Sequence, residues 1–159
     1  MAEGQHTDRL LGESPVFLEV LDLVSQIAPL NKPVLIVGER GTGKELIASR
    51  LHYLSPRWDQ EFIKMNCAAI SESLLETELF GHEAGAFTGA SKVHRGRFER
   101  ADQGSFFLDE LANTSALVQE KLLRIIEYGE FERVGGSKTL TTDVRLIAAT
   151  NEDLPTLAR

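Results

Sequence analysis

The sequence predicts an α/β fold in which a parallel sheet is covered by helices on both faces, and three observations carry that expectation. Pro33-Val34-Leu35-Ile36-Val37 is a continuous apolar run of β-branched type followed at once by glycine, as expected of a strand buried on both faces. Helical spacing returns from Lys44 to Leu54, where Leu46, Ile47, Leu51 and Leu54 recur, so strand, glycine loop and helix follow one another. Strand-like and helix-like segments then keep alternating along the chain.

From the N-terminus, Phe17, Val20, Leu21, Val24, Ile27 and Ala28 recur at helical spacing and predict an amphipathic helix from about Val16 to Ala28, with Pro29 just beyond it. After the first strand and its helix, Phe62-Ile63-Lys64-Met65 is a short strand signal. Ser73-Leu74-Leu75-Glu76 has the spacing of a helix capping box, and Leu75, Leu79 and Phe80 continue an apolar stripe. The Gly-rich stretch from Gly81 to Gly96 interrupts all periodicity. Ser105-Phe106-Phe107-Leu108 is a second apolar run, ending in the paired acids Asp109 and Glu110. Leu117, Val118, Lys121, Leu122, Ile125 and Ile126 outline another amphipathic helix, and Val134-Gly135-Gly136-Ser137 is a turn signal. Val144 to Ala149 reads as a strand that stops at Thr150-Asn151. The sequence contains no internal repeat and no low-complexity segment.

A chain of 159 residues fits one domain with a sizeable core, and 42% hydrophobic with 26% charged residues is ordinary for a soluble globule. The formal charge of -7 opposes attraction to a polyanion, and no run of Lys and Arg is long enough to bind nucleic acid, so this segment is not expected to contact DNA. The single cysteine, Cys67, allows no internal disulfide. The first residues carry neither a basic leader nor a signal-type apolar run, and nothing approaches the roughly 20 apolar residues of a membrane span. A cytoplasmic protein is expected.

Gly38-Glu39-Arg40-Gly41-Thr42-Gly43-Lys44 matches G-x-x-x-x-G-K between a predicted strand and a predicted helix. The first amides of a helix have no internal acceptor, and glycines let the preceding loop curl so that further N–H groups face one concave site suited to phosphate. Lys44 supplies a positive charge for the outer phosphates. Glu45 occupies the place where the general pattern has a Mg²⁺-binding hydroxyl. Either Thr42 or a water then completes the coordination, or the metal rests mainly on the acids downstream.

Those acids, Asp109 and Glu110, end an apolar strand at the edge where the phosphate loop begins in such a sheet. The first suits Mg²⁺, directly or through water, and the second suits orienting or deprotonating an attacking water. Thr150 and Asn151 end a later strand and either face the same crevice or cap a helix; Asn66, after Phe62 to Met65, has the same two readings.

Together, Gly38 to Glu45, Glu78-Leu79-Phe80-Gly81-His82, Gly85-Ala86-Phe87-Thr88-Gly89-Ala90 and Gly104 to Glu110 closely resemble the central domain of the sigma-54-dependent transcription activators. The resemblance covers nearly the whole chain from about Leu11, and the hexapeptide from Gly85 to Ala90 is peculiar to that family within the AAA+ ATPases. It implies an α/β P-loop NTPase of the AAA+ class, a three-layer parallel sheet cut short before the helical lid. Residues 1–10 would be a short tail and residues 11–159 the N-terminal part of the ATPase core.

By the same resemblance Gly38, Glu39, Arg40, Gly41, Thr42, Gly43, Lys44 and Glu45 form the Walker A loop for ATP, and Asp109 and Glu110 the Walker B element, Asp109 with Mg²⁺. Asn66 would exchange partners with Glu110 as the nucleotide changes, and Thr150 and Asn151 would be the first sensor. Gly85, Ala86, Phe87, Thr88, Gly89 and Ala90 would touch the sigma-54 factor on its RNA polymerase, and residues 132–138 would form a second loop at the pore of a homo-hexameric ring. An apolar Phe between glycines on an exposed loop suits intermittent contact with a partner.

The family's core continues into arginines that reach the neighbouring subunit's site, a lid with a second sensor, and a DNA-binding helix-turn-helix, none of which can be placed here. The chain is therefore expected to bind nucleotide with little hydrolysis, with DNA contact only through a C-terminal part and with a regulatory protein as a further partner. A GTPase is disfavoured because Asn31-Lys32 continues as Pro33-Val34 rather than a guanine signature, and a nucleotide kinase has no need of the Gly85–Ala90 loop. A non-catalytic adaptor that binds the sigma factor stays open for the chain as it stands.

Overall fold

A computed structural model describes residues 15–38 and 43–151; the expected tail at residues 1–10, the middle of the glycine loop and residues 152–159 lie outside it, as do the side chains of residues 15–18 and 20. Among the described residues six strands form: β1 (Val34–Val37), β2 (Phe62–Asn66), β3 (Ser105–Asp109), β4 (Glu130–Phe131), β5 (Leu140–Thr141) and β6 (Arg145–Thr150). Four of them make one all-parallel sheet in the order β1-β6-β3-β2, and β4 with β5 makes a small antiparallel ribbon.

The continuous apolar runs become strands of this sheet because both faces need covering. Alternate side chains separate cleanly. Phe106, Leu108, Leu146 and Ala148 join a core with Met65, Leu79, Phe80 and Leu122, whereas Phe107, Ile147 and Ala149 join a second core with Val24, Ile47, Ala48 and Leu51. Helices α1 (Pro15–Ile27) and α2 (Lys44–Tyr53) therefore cover one face, and α3 (Glu72–Phe80) and α5 (Ala116–Tyr128) the other. Between them lies the four-residue helix α4 (Arg97–Arg100), whose Phe98 is fully buried and stacks on Phe80 at 5.8 Å.

The expected capping box is not where α3 begins. Its N-cap is Ser71, two residues earlier, so Ser73 and Glu76 lie inside the helix. Instead of reaching back to a cap, Glu76 pairs with Lys121 on α5. Helix α5 does have the side-chain cap that α3 lacks: Ser115 Oγ accepts the Val118 N–H at 3.2 Å.

Arg145, at the start of β6, fixes the first layer onto the sheet. Its side chain is only 2% exposed, and its guanidinium donates to the carbonyls of Ala28 (2.7 Å), Ile27 (3.0 Å), Lys32 (3.0 Å) and Leu51 (3.2 Å). Ile27 and Leu51 belong to the last turns of α1 and α2 and Ala28 follows α1 directly, where carbonyls at a helix end have no intrahelical partner and a cation is favoured. Burial, with Arg57 nearby, lowers the pKa of Arg145 from the ordinary arginine value.

Candidate functional site

Strand register gathers the candidate residues at the C-terminal edge of the sheet. Val37, just before the glycine loop, pairs with Thr150; Asn66 pairs with Asp109; and Leu108, just before the two acids, pairs with Ala148. A parallel sheet carries its ligand crevice at this edge.

At the mouth of the loop, the Gly38 N–H donates to the Thr150 carbonyl at 3.1 Å, continuing the β1–β6 ladder one residue past the strand. Lys44 opens α2, is 7% exposed, and donates from Nζ to the Gly38 carbonyl at 3.0 Å. The two ends of the loop are thereby fastened together. Gly43 is the N-cap of α2 with φ 83, a left-handed conformation that favours glycine, and it offers no side chain to accept the first-turn amides. Glu39, Arg40, Gly41 and Thr42 lie outside the described residues. The exposed carboxylate of Glu45 is held by Lys64 Nζ on β2 at 2.9 Å, and this hydrogen bond raises the lysine's pKa.

The two acids sit in different surroundings. Asp109 is half-buried and accepts the Glu110 N–H on Oδ1 at 2.9 Å. Glu110 is 7% exposed with φ 59, a left-handed backbone uncommon for any residue but glycine, and Asn113 Nδ2 lies 3.5 Å from its carboxylate. Beneath them Cys67 is buried, its thiol pushed up to about 12 by burial and by the charges of Asp109 and Glu110, so it stays protonated.

Thr150 is fully buried and Asn151 exposed at the same edge. Asn66 is exposed, and its side chain accepts the Ala68 N–H at 2.9 Å as the cap of a 3-10 turn, Cys67–Ala69. Asn66 thus caps that turn at the same sheet edge as Asp109. Among the described residues no cluster of three or more His, Cys, Asp or Glu forms a ready-made metal cage.

A second constellation lies away from the edge. Gly85 and Gly89 have φ 81 and 92, and the Gly85 N–H donates to the Ala90 carbonyl, closing a tight loop that leaves Phe87 48% exposed. This loop rests on the segment that follows β4. Glu83 N–H donates to the Val134 carbonyl at 3.0 Å and Val134 N–H to the Gly81 carbonyl at 2.9 Å. Gly135, at φ 78, lies so close that a Cβ there would meet the Ala86 Cβ at 2.7 Å.

Arg133 joins the two segments, reaching Glu99 on α4 at 2.8 Å and Glu83 at 3.4 Å. Its hydrogen bond to Glu99 raises the arginine's pKa. For Glu99, burial pushes the carboxyl up, but Arg133 outweighs that and holds it below the ordinary range. Arg133, Glu83 and Glu99 are too far apart in the chain for spacing to pair them.

A family model for the sigma-54 interaction domain matches residues 10–159. The chain belongs to the sigma-54 interaction domain family. The Psp operon transcriptional activator of Escherichia coli K12 is 69% identical over 154 residues, which is 97% of this chain and 47% of that protein. The Nif-specific regulatory protein of Azotobacter vinelandii is 55% identical over 145 residues, 91% of this chain and 28% of that protein. The chain thus spans about half or less of the length of these curated relatives.

Among solved structures, NtrX from Brucella abortus in complex with ADP superposes with a TM-score of 0.82 at 34% identity, over 99% of this chain and 34% of that one. The P-loop NTPase domain of an Escherichia coli sigma-54 activator has a TM-score of 0.54 at 18% identity over 85% of this chain and 82% of that one, a likeness of fold. The sigma-54 interaction domain here has an α/β fold with an all-parallel main sheet, and that fold is shared with the P-loop NTPase domain. Among its described residues no helix is long and apolar enough to cross a membrane.

Proposed function

We propose that the chain is the ATP-binding and ATP-hydrolysing core of a transcription activator that remodels sigma-54 RNA polymerase, working as a homo-hexameric ring in the cytoplasm. The observation that carries this reading is the convergence of Gly38, Lys44, Asp109, Glu110 and Thr150 on one sheet edge. The ADP-bound NtrX neighbour supports a nucleotide there.

In this reading the glycine loop from Gly38 to Glu45 and the first turn of α2 cradle the phosphates, and Lys44 exchanges the Gly38 carbonyl for an outer phosphate. Glu110 orients or deprotonates the attacking water, its carboxylate placed by the left-handed turn. Thr150, Asn151 and Asn66 report the state of the nucleotide, Asn66 by leaving its cap at Ala68 for Glu110. Asp109 would hold Mg²⁺, since a half-buried carboxylate offers the hard oxygen donor that ion prefers; when bound, the ion neutralises charge on the transferring phosphoryl group. The engagement of Glu45 by Lys64 leaves Asp109 as the metal's main carboxylate support.

Gly85 to Ala90 touches the sigma factor, with Phe87 as its apolar anchor. DNA contact and regulatory protein contact belong to the larger protein. Hydrolysis also needs a cation opposite Lys44, and losing such an arginine costs on the order of 10³–10⁵ in rate. Steady-state phosphate release against protein concentration tests this: the 159-residue chain should turn over hardly at all, and the complete polypeptide only when concentrated enough to assemble. Brisk, concentration-independent turnover by the chain alone would sink the need for a neighbouring subunit.

A further inference from the structure

Phe87 does not stand free on its loop. Its ring lies 4.9 Å from the His82 ring at an interplanar angle of 68°, an edge-to-face contact. His82 in turn stacks on His94 at 5.3 Å and 26°, and the two residues exchange both backbone N–H···O bonds at 2.9 Å. His94 Nε2 is 3.4 Å from Glu78 Oε2 on α3, and the other oxygen of Glu78 accepts from Arg97 on α4 at 3.2 Å. An aromatic column thus runs from two helices of the core to the tip of the loop. Gly85 and Gly89, both in the left-handed region, give the loop's own backbone little power to fix the direction of the side chain between them.

We propose that His82 is a positioning residue that aims Phe87 at the sigma factor, an inference that rests on the reading of Gly85–Ala90 as the partner loop. Phe87 is 48% exposed, yet its ring meets the imidazole edge-to-face, so its rotamer is restricted before the partner arrives. Binding then loses less conformational freedom than a loose phenylalanine would. In this proposal His82 acts through Phe87 and contacts the sigma factor only by way of that ring.

The test is the affinity of purified sigma-54 for the full-length protein, loaded with a transition-state analogue of γ-phosphate transfer, in four variants. Phe87→Ala should weaken binding at least ten-fold, and His82→Ala about three- to ten-fold, the size of one aromatic pair. His82→Phe, which keeps a flat ring, should bind within two-fold of wild type. The double variant His82→Ala with Phe87→Ala should be no weaker than Phe87→Ala alone, because the histidine acts through the phenylalanine. Melting temperature and ATP turnover of His82→Ala should match wild type. Unchanged affinity for His82→Ala, an additive double variant, or a loss of affinity matched by a fall in melting temperature would each overturn the inference. Retained affinity in Phe87→Ala would instead overturn the partner-loop reading, and the inference with it.

Discussion

The carboxylate of Asp109 accepts the backbone N–H of Glu110 at 2.9 Å, and across that bond the chain turns into the left-handed region, φ 59. A glutamate held there costs on the order of 1–3 kcal/mol of backbone strain. The turn sends two consecutive carboxylates into different surroundings, Asp109 half-buried and Glu110 almost wholly buried, a division that suits the metal-holding and water-orienting roles proposed for them.

Glu110→Gln keeps the shape and the turn but removes the base. We expect nucleotide affinity to stay within a few-fold of wild type while phosphate release by the complete, assembled polypeptide falls by at least about 10²-fold. Calorimetric titration and a phosphate-release assay on the same preparation separate the two effects. Turnover close to wild type would remove Glu110 from the chemistry.

Arg145→Met removes the donor shared by four buried or partly buried carbonyls, three at the ends of α1 and α2 and one, Lys32, just before β1. Each buried group left unsatisfied costs about 1–3 kcal/mol, so the variant should lose about 3 kcal/mol or more in urea unfolding. Arg145→Lys, with three donors and no planar fork, should fall between. A loss under about 1 kcal/mol for the methionine variant would show that the clamp contributes little.

His52 is fully buried on α2, stacked on Phe62 at 4.8 Å with Nδ1 2.8 Å from Ser105 Oγ, and burial lowers its pKa from the ordinary value. The unfolded chain therefore takes up this proton first as the pH falls below about 6.5. The stability that the neutral ring contributes is complete above that pH and is lost as the pH drops towards the lower folded-state value. Urea midpoints between pH 8 and pH 5 should fall more for wild type than for His52→Phe. Parallel pH profiles for the two proteins would show that His52 does not titrate with folding.

The sheet was legible in the sequence because strands buried on both faces carry continuous apolar runs, and Val34–Val37, Phe106–Leu108 and Leu146–Ala149 are such runs. The glycine loop and the acid pair were legible because they interrupt those runs at strand ends. Other features depend on contacts distant in sequence. Glu76 looked like half of a capping box three residues after Ser73, yet Lys121, 45 residues on, holds it. Arg145 reads as a break in an apolar strand, and only the arrival of two helix ends at its guanidinium accounts for it. Helix α4 is too short for periodicity to register. Its Phe98 and the His82–His94 pairing convert a stretch without periodicity into the base of the Gly85–Ala90 loop.

Thermal melting of the chain with and without nucleotide, in wild type and Lys44→Ala, tests the assignment of the sheet edge most directly. A ligand at a hundred-fold excess over its Kd adds about 2.7 kcal/mol to stability, which for a domain of this size raises the melting temperature by roughly 5–10 °C. We expect that rise with ADP or ATP in the wild type and none in Lys44→Ala, with both proteins equally folded beforehand. A well-folded wild type that melts at the same temperature with millimolar nucleotide, or a Lys44→Ala variant stabilised as much as wild type, would contradict a nucleotide site built on Gly38, Lys44, Asp109 and Glu110.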